Sequence, residues 1–342
     1  MSEKKATTIG GQALIEGIMM KGPNRTVVAV REPNKNIYIE DLPETNLKEK
    51  FKVLGLPIIR GAAALVQSMK TGYKALMLSA DKSGMTAMEE EEELELLKAK
   101  SAKEAAKSGE DEQAVFERLE AKEKKKENSA FMGILMAVAS VLGVVIAMLL
   151  FMWLPTFLFN LLKGGVGEQI APWRAVFEGI LKMIIFVSYI ALVSRMNDIK
   201  RVFMYHGAEH KTIFCYEHGE ELSVPNVRKQ SRFHPRCGTS FMILMLIVSV
   251  VFYAAVSLTF PVLANSKLWV ILKILLMPVI CGLGYELIRI CGRYNNIVTR
   301  IISAPGMWLQ RLTTKEPEDV MIEVAIESLK AVIPEDKNAD VF

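Results

Sequence analysis

Histidine and cysteine are scarce in this 342-residue chain, four of each. No C-x-x-C pair occurs, which removes a dithiol redox motif. Two of the cysteines, Cys281 and Cys291, fall in or beside an apolar run as small packing residues, so an exported disulfide framework does not fit. The opening MSEKKATTIGGQ has no hydrophobic h-region, and a cleaved signal peptide is not expected. G-x-G-x-x-G and Walker loops are missing, which leaves nucleotide binding without a motif. Charge of one sign is also in short supply. The net charge is +4 and no basic patch is interleaved with stacking aromatics, so nucleic acid is not an expected partner.

What is plentiful is apolar sequence. Hydrophobic residues make up 51% of the chain, which places it in the membrane class. The segments 131–162, 173–194, 240–263 and 268–288 approach or exceed the roughly 20 residues a helix needs to cross a bilayer. Pro155 predicts a kink near the far end of the first, and Pro278 with Gly282 and Gly284 predicts a break in the fourth. The expected fold is mainly α: a polytopic helical membrane protein of about four spans, with a small N-terminal β-hairpin unit and cytoplasmic amphipathic helices. Four crossings put both termini and the 197–239 connection on one side. That side carries Arg195, Lys200, Arg201, Arg228, Lys229 and Arg293 among other cations, while the opposite connections offer Lys163, Arg174 and Lys267. The positive-inside rule assigns the richer side to the cytoplasm.

Seven regions follow. Residues 1–55 form a β-rich unit, in which Thr26–Arg31 and Ile37–Glu40 flank the turn Glu32–Asn36 as a hairpin. Glu16 reads there as a surface carboxylate ahead of a ligand or base. Residues 56–80 read as an amphipathic packing helix and 81–128 as a charged helical or disordered insert. Spans 1–2 occupy 129–196, a His/Cys loop 197–239, spans 3–4 240–290, and interfacial and C-terminal helices 291–342. Trp308 anchors the interfacial segment, which Pro305-Gly306 is expected to split, and Val320–Val332 is a short helix. Within the spans, the spacing pairs Glu178 with Lys182 and Glu286 with Arg289.

The loop holds every histidine: His206, His210, His218 and His234, along with Cys215 and Cys237. His206-Gly-Ala-Glu209-His210 has the H-x-x-E-H form, which on a helix turns two imidazoles and a carboxylate towards one side. Cys215-x-x-His218 and His234-x-x-Cys237 are pairs with zinc-site spacing.

The blocks GGQALIEGIMMKGP (10–23), LPIIRGAAALVQSMKTGYKAL (56–76), YHGAEHKTIFCYE (205–217), NVRKQSRFHPRCGTSF (226–241), YELIR (285–289) and PGMWLQRLTTKEP (305–317) together resemble the YqhQ-like family of bacterial integral membrane proteins. The resemblance covers nearly the whole chain except the charged insert. It implies a multi-span protein of the bacterial cell (inner) membrane carrying a metal site, in a family sometimes described as metal-dependent enzymes. His206, Glu209, His210, Cys215, His234 and Cys237 match the family pattern, and His218 departs from it.

Two groupings of the loop remain open. Cys215, His218, His234 and Cys237 could close a structural zinc site. Alternatively, His206 and His210 join His234 or Cys237 around zinc, and Glu209 serves as the catalytic proton carrier. Lys211, Arg232 and Arg236 are candidate anion-binding residues. The functional readings are a metal-dependent hydrolase acting on a lipid-like substrate at the membrane, a non-catalytic scaffold or assembly factor with a membrane-protein partner, and, last, a transporter. Beside these stands the plain alternative that the loop only hydrogen-bonds within itself. Substrate and oligomeric state are not legible.

Overall fold

The computed structural model describes residues 7–43, 52–108, 111–127, 138, 141–264, 269–294, 296–336 and 339–340. They divide into two compact units, 84–154 and the remainder.

The larger unit begins with an antiparallel sheet in the order β1 (Gly10–Leu14), β2 (Gly17–Lys21), β3 (Thr26–Arg31) and β4 (Ile37–Leu42). The expected hairpin is β3–β4. Strands β1 and β2 are additions to the sequence reading, which placed a hairpin in the unit and no further strands. The Thr26–Arg31 strand is apolar without a polar face because both faces of the sheet are covered. Ile18, Met20, Val27 and Ala29 join one core, while Leu14, Met19, Val28 and Val30 pack with Ala75 and Leu78 in another. Alternate residues of one strand thus serve two cores. Ala75 and Leu78 belong to α1 (Ile59–Lys82).

The smaller unit contains the charged insert. Its helices α2 (Met85–Ser108) and α3 (Glu112–Glu127) pack on each other, with Leu97 and Val115 buried and Arg118 paired to Glu104 at 2.9 Å.

Among the described residues, four helices are long and apolar enough to cross a membrane: Val141–Val166, Glu168–Val193, Gly238–Thr259 and Ile271–Arg293. Their large apolar side chains face outward, with Val141, Leu161, Leu192, Val251 and Leu275 each more than half exposed. Lipid satisfies such surfaces and water does not. The first 131–162 stretch lies partly outside the described residues. The expected disturbance near Pro155 is a wider π-type turn, Leu149–Trp153, just before α4 (Leu154–Val166).

The other spans form α5 (Arg174–Val193), then, beyond the loop, α8 (Gly238–Thr259) and α9 (Trp269–Arg293). Between α5 and α8 the loop builds α6 (Asn197–Glu217) and α7 (Val224–Lys229). After α9 come α10 (Ile297–Thr313) and α11 (Asp319–Lys330). Two expected breaks are absent. Helix α9 runs unbroken through Pro278, and α10 through Pro305-Gly306. The glycines serve contact instead: Gly282 lies against the carbonyl of Ile58 and Gly306 against Ser240, too close for a Cβ at either.

Both expected intramembrane pairs are replaced by longer-range ones. Glu178 bonds Lys273 at 2.5 Å and Arg174 at 2.9 Å rather than Lys182, and Glu286 pairs with Arg60 rather than Arg289. Spacing along one helix cannot reveal a partner on another, and the closer fork of Arg60 wins.

Candidate metal centre

Helix α6 is buried along its second half although it is rich in ionisable residues. Tyr205 to Ile213, Cys215 and Glu217 are all buried, among them His206, Glu209, His210 and Lys211. A helix covered on all sides is normally apolar. Its covering is the sheet on one side, with Tyr205, Ala208 and Ile213 in the same core as Ile18, Met20 and α11 residues Met321, Ile322 and Ala325. On another side a strap following α10 crosses Gly207, where Lys315 donates its N–H to Phe203 O at 2.8 Å. A Cβ at Gly207 would collide with the Lys315 carbonyl.

The helical i, i+4 spacing brings the His206 and His210 rings to 4.4 Å between centroids. Each ring is held by a backbone carbonyl, His206 Nδ1 at 2.8 Å from Thr313 O and His210 Nδ1 at 2.5 Å from Arg232 O. With Nδ1 donating, Nε2 is the nitrogen that would turn its lone pair to an ion, the usual arrangement around a ligating imidazole. His206 Nε2 points to Cys237 Sγ at 3.1 Å. Cys237 occupies the N-cap of α8, accepting from Thr239 N at 3.4 Å. One ligand atom from each of His206, His210 and Cys237 lies within 4.8 Å of the others. These three residues could hold a metal ion.

The electrostatics follow from that proximity. Burial opposes charge on all these groups. For Cys237 it is outweighed by the two imidazoles, which hold the thiol well below its ordinary value, and a helix N-terminus favours the thiolate too. Burial would also lower His206, yet the facing Cys237 raises it to about 9. Glu209 is raised, chiefly by burial. One of its oxygens accepts from Gly11 N of β1 at 3.0 Å, and the other, Oε2, is buried without a hydrogen-bond partner among the described residues. His206, Glu209, His210, His234 and Cys237 all line a cavity of about 750 Å³ that reaches Gly10, Gly11 and Met242.

The remaining sequence candidates lie elsewhere. Cys215 Sγ points into the core of the sheet, 3.4 Å from Glu221 O, and burial raises its pKa to about 11. His218 Nδ1 contacts Gln230 Oε1 at 3.0 Å. The first grouping, with Cys215 and His218 beside His234 and Cys237, is therefore not assembled. His234 stands next to the trio, its ring 5.6 Å from that of His210, but its Nε2 faces Glu217 Oε2 at 3.5 Å. The candidate anion-binders are also engaged: Lys211 at 2.7 Å from Glu316, Arg232 at 3.8 Å from the same carboxylate, and Arg236 against Glu217.

Two supporting residues escaped the sequence reading. Glu217 is buried between His234 and Arg236 and accepts from Thr7 N at 2.8 Å. Gln310, fully buried on α10, accepts from His234 N and donates to His234 O, both at 2.7 Å. It clamps the backbone that leads to Cys237.

Residues 56–335 match the family model described as "Protein of unknown function (DUF1385)". The chain belongs to this family. It is also similar to a Bacillus subtilis (strain 168) protein described as "Uncharacterized protein YqhQ", 33% identical over 327 residues, 95% of this chain and 92% of that one. No solved structure matches. The relationship fits the resemblance carried by the YHGAEHKTIFCYE and NVRKQSRFHPRCGTSF blocks, and it assigns no reaction.

Proposed function

We propose that this membrane protein is a metal-dependent hydrolase whose ion, zinc by its donor set, is held by His206, His210 and Cys237. Two imidazoles and a thiolate suit zinc, and three protein ligands are the number found where a fourth position stays open for chemistry. The observation that carries the reading is the meeting of these three donors beside a buried carboxylate oxygen with no partner among the described residues. His206, His210 and Cys237 would hold the ion, which would supply Lewis acidity and a water nucleophile near neutral pH. Glu209, which lines the same cavity, would take a proton from water and return it to the leaving group, so that no net proton stays on the enzyme. Gly11 N–H fixes one oxygen and leaves the other for the proton. The positive-inside rule puts this end of the spans in the cytoplasm, and a lipid-like or membrane-delivered substrate fits a cavity next to a membrane-crossing helix.

Elemental analysis of the purified full chain tests the proposal. Wild type should retain about one equivalent of zinc, and His206→Ala, His210→Ala and Cys237→Ala less than a tenth. Less than a tenth in wild type overturns it. Glu209→Gln should keep the metal and lose the cellular function. If it keeps both, the ion is structural and the chain is a scaffold or assembly factor.

A further inference from the structure

Strand β1 is the sheet edge beside the candidate metal centre, and its outer side is only partly used. Gly11 gives its N–H to Glu209 Oε1 and not to β2. Alternate residues of a strand turn their N–H and C=O the same way, so those of Ala13 also face away from β2. Among the described residues, no hydrogen bond from outside the sheet reaches the Gly11 carbonyl or either backbone group of Ala13. Sheets normally blunt a bare edge with charge, proline, a bulge or a covering element, and GGQAL carries neither charge nor proline. It opens instead on the cavity of about 750 Å³, which the chain from Thr8 to Ala13 lines without interruption. Phe203, His206, Glu209, His210 and Ile213 of α6 line the same cavity, so it is a groove with a strand edge along one wall and a helix along another. Glycine inside a strand often marks a close approach by a second backbone. At Gly10 the place of a Cβ is open space, so packing within the chain does not explain that glycine.

We infer that the groove takes a stretch of extended polypeptide as an added strand on β1, setting one of its peptide bonds beside His206, His210 and Cys237 for hydrolysis. The inference rests on the hydrolase reading and names its substrate class. Ala13 donates its N–H to a carbonyl of the incoming chain, and the Gly11 and Ala13 carbonyls accept from that chain's N–H groups. Glu209 Oε1, on the Gly11 N–H, stands where the next carbonyl of such a strand would be. The ladder therefore ends at the carboxylate whose other oxygen no described residue answers. Hydrolysis there adds the oxygen of water to the carbonyl carbon, breaks the C–N bond and leaves the proton on the departing amine, with Glu209 as its carrier. An extended main chain repeats its donors and acceptors every two residues, roughly 6.7 Å, which is the repeat of β1 itself. Lipid headgroups and acyl chains have no such repeat.

Short synthetic peptides of randomised sequence, passed over the immobilised, detergent-purified full chain, test it, with the retained peptides read by mass spectrometry. One retained peptide is then N-methylated at each backbone nitrogen in turn. Methylation at alternate positions should weaken binding about ten-fold, the effect of one hydrogen bond left unmade, and methylation at the positions between should do little. The pattern should persist after zinc is chelated, because the strand and not the ion makes the ladder. Ala13→Pro removes the Ala13 donor without touching the pairing to β2, and should weaken the same peptide by a similar factor at unchanged zinc content. With zinc present the peptide should be cut, and Glu209→Gln should bind it without cutting. A methylation profile without the two-residue alternation overturns the inference, and the scan needs no variant to fold. So does release of the peptide by an equal concentration of phosphatidylglycerol, which would mark a lipid site. Zinc in wild type with no peptide retained also overturns it, and leaves the hydrolase reading intact. Alternating binding in a chain without zinc overturns the hydrolase reading and leaves β1 as a peptide-binding edge.

Discussion

Two carboxylates in this chain are buried to the same depth and treated differently. Glu178, between the spans, is 2% exposed, and Glu209, on α6, is 4% exposed. Glu178 receives Thr156 and Arg174 on one oxygen, each at 2.9 Å, and Lys273 on the other at 2.5 Å. Lys273 is also 5.3 Å from the Trp269 ring centre. Glu209 has one backbone donor and one oxygen that no described residue answers. An unanswered buried polar atom costs about 1–3 kcal/mol, and more when charged. Burial of charge therefore does not by itself mark a working site. Unused bonding capacity beside candidate ligands is the better guide, and by that measure Glu178 is a staple between helices and Glu209 is the carboxylate that fits the proposed reaction.

The largest effects that could break the comparison are at the three candidate metal ligands and the neighbouring carboxylate. Losing one of three ligands should abolish zinc retention, as set out above. Glu209→Gln should leave zinc bound and slow turnover by roughly 10²- to 10⁴-fold, the usual worth of a proton carrier. His234→Ala should retain zinc while weakening its hold by about ten-fold or more, since His234 packs beside the trio without joining it. Zinc loss as complete as in His210→Ala would make His234 a ligand and redraw the site.

The next effect is on stability. Glu178→Gln leaves Lys273 and Arg174 facing each other without their carboxylate, and breaking a buried pair from one side costs about 3–5 kcal/mol. Thermal unfolding in detergent should fall by several degrees. Glu178→Gln/Lys273→Gln should recover part of the loss, because no uncompensated charge remains. A single variant as stable as wild type would show that Glu178 is not a staple. Gly207→Ala comes below that, at about 1–3 kcal/mol for overpacking, because the new methyl drives Lys315 away from α6. Zinc should weaken with it, as the same strap holds Thr313, whose carbonyl orients His206.

The sequence made the spans and the β3–β4 hairpin legible because those signals are local: apolar length in one case and β-branched residues around a turn in the other. Strands β1 and β2 were not, since GGQAL and GIMMK owe their extended form to pairing with each other and to β2 lying against β3. The site was half legible. H-x-x-E-H fixes two candidate ligands on one helix face by spacing alone. The same rule, about 100° per residue, would have separated the others. Cys215 is nine residues beyond His206, roughly 180° around the helix, while Glu217, eleven beyond, returns to within roughly 20° of it. Glu217 was therefore discoverable and Cys215 could have been set aside. The partners brought from other elements, Gly11, Thr313, Gln310, Lys273 and Arg60, left no mark in the sequence, because only the fold places them.

The smallest effect is also the sharpest discriminator between the two cysteines that match the family pattern. Cys215→Ala removes a thiol from the core shared by the sheet, α6 and α11, and ends its donation to Glu221 O. Loss of a small buried side chain and one weak hydrogen bond should cost about 1–2 kcal/mol. Zinc should be untouched, because the Cys215 sulfur faces the opposite side of α6 from the His206 imidazole. Cys237→Ala should do the reverse, losing zinc with a smaller change in the stability of the metal-free protein. Measured side by side, by elemental content and by thermal unfolding in zinc-free detergent buffer, the two variants should cross over. If both lose zinc, α6 must present Cys215 to the ion, which would require the helix to turn about its axis and withdraw Glu209 from Gly11.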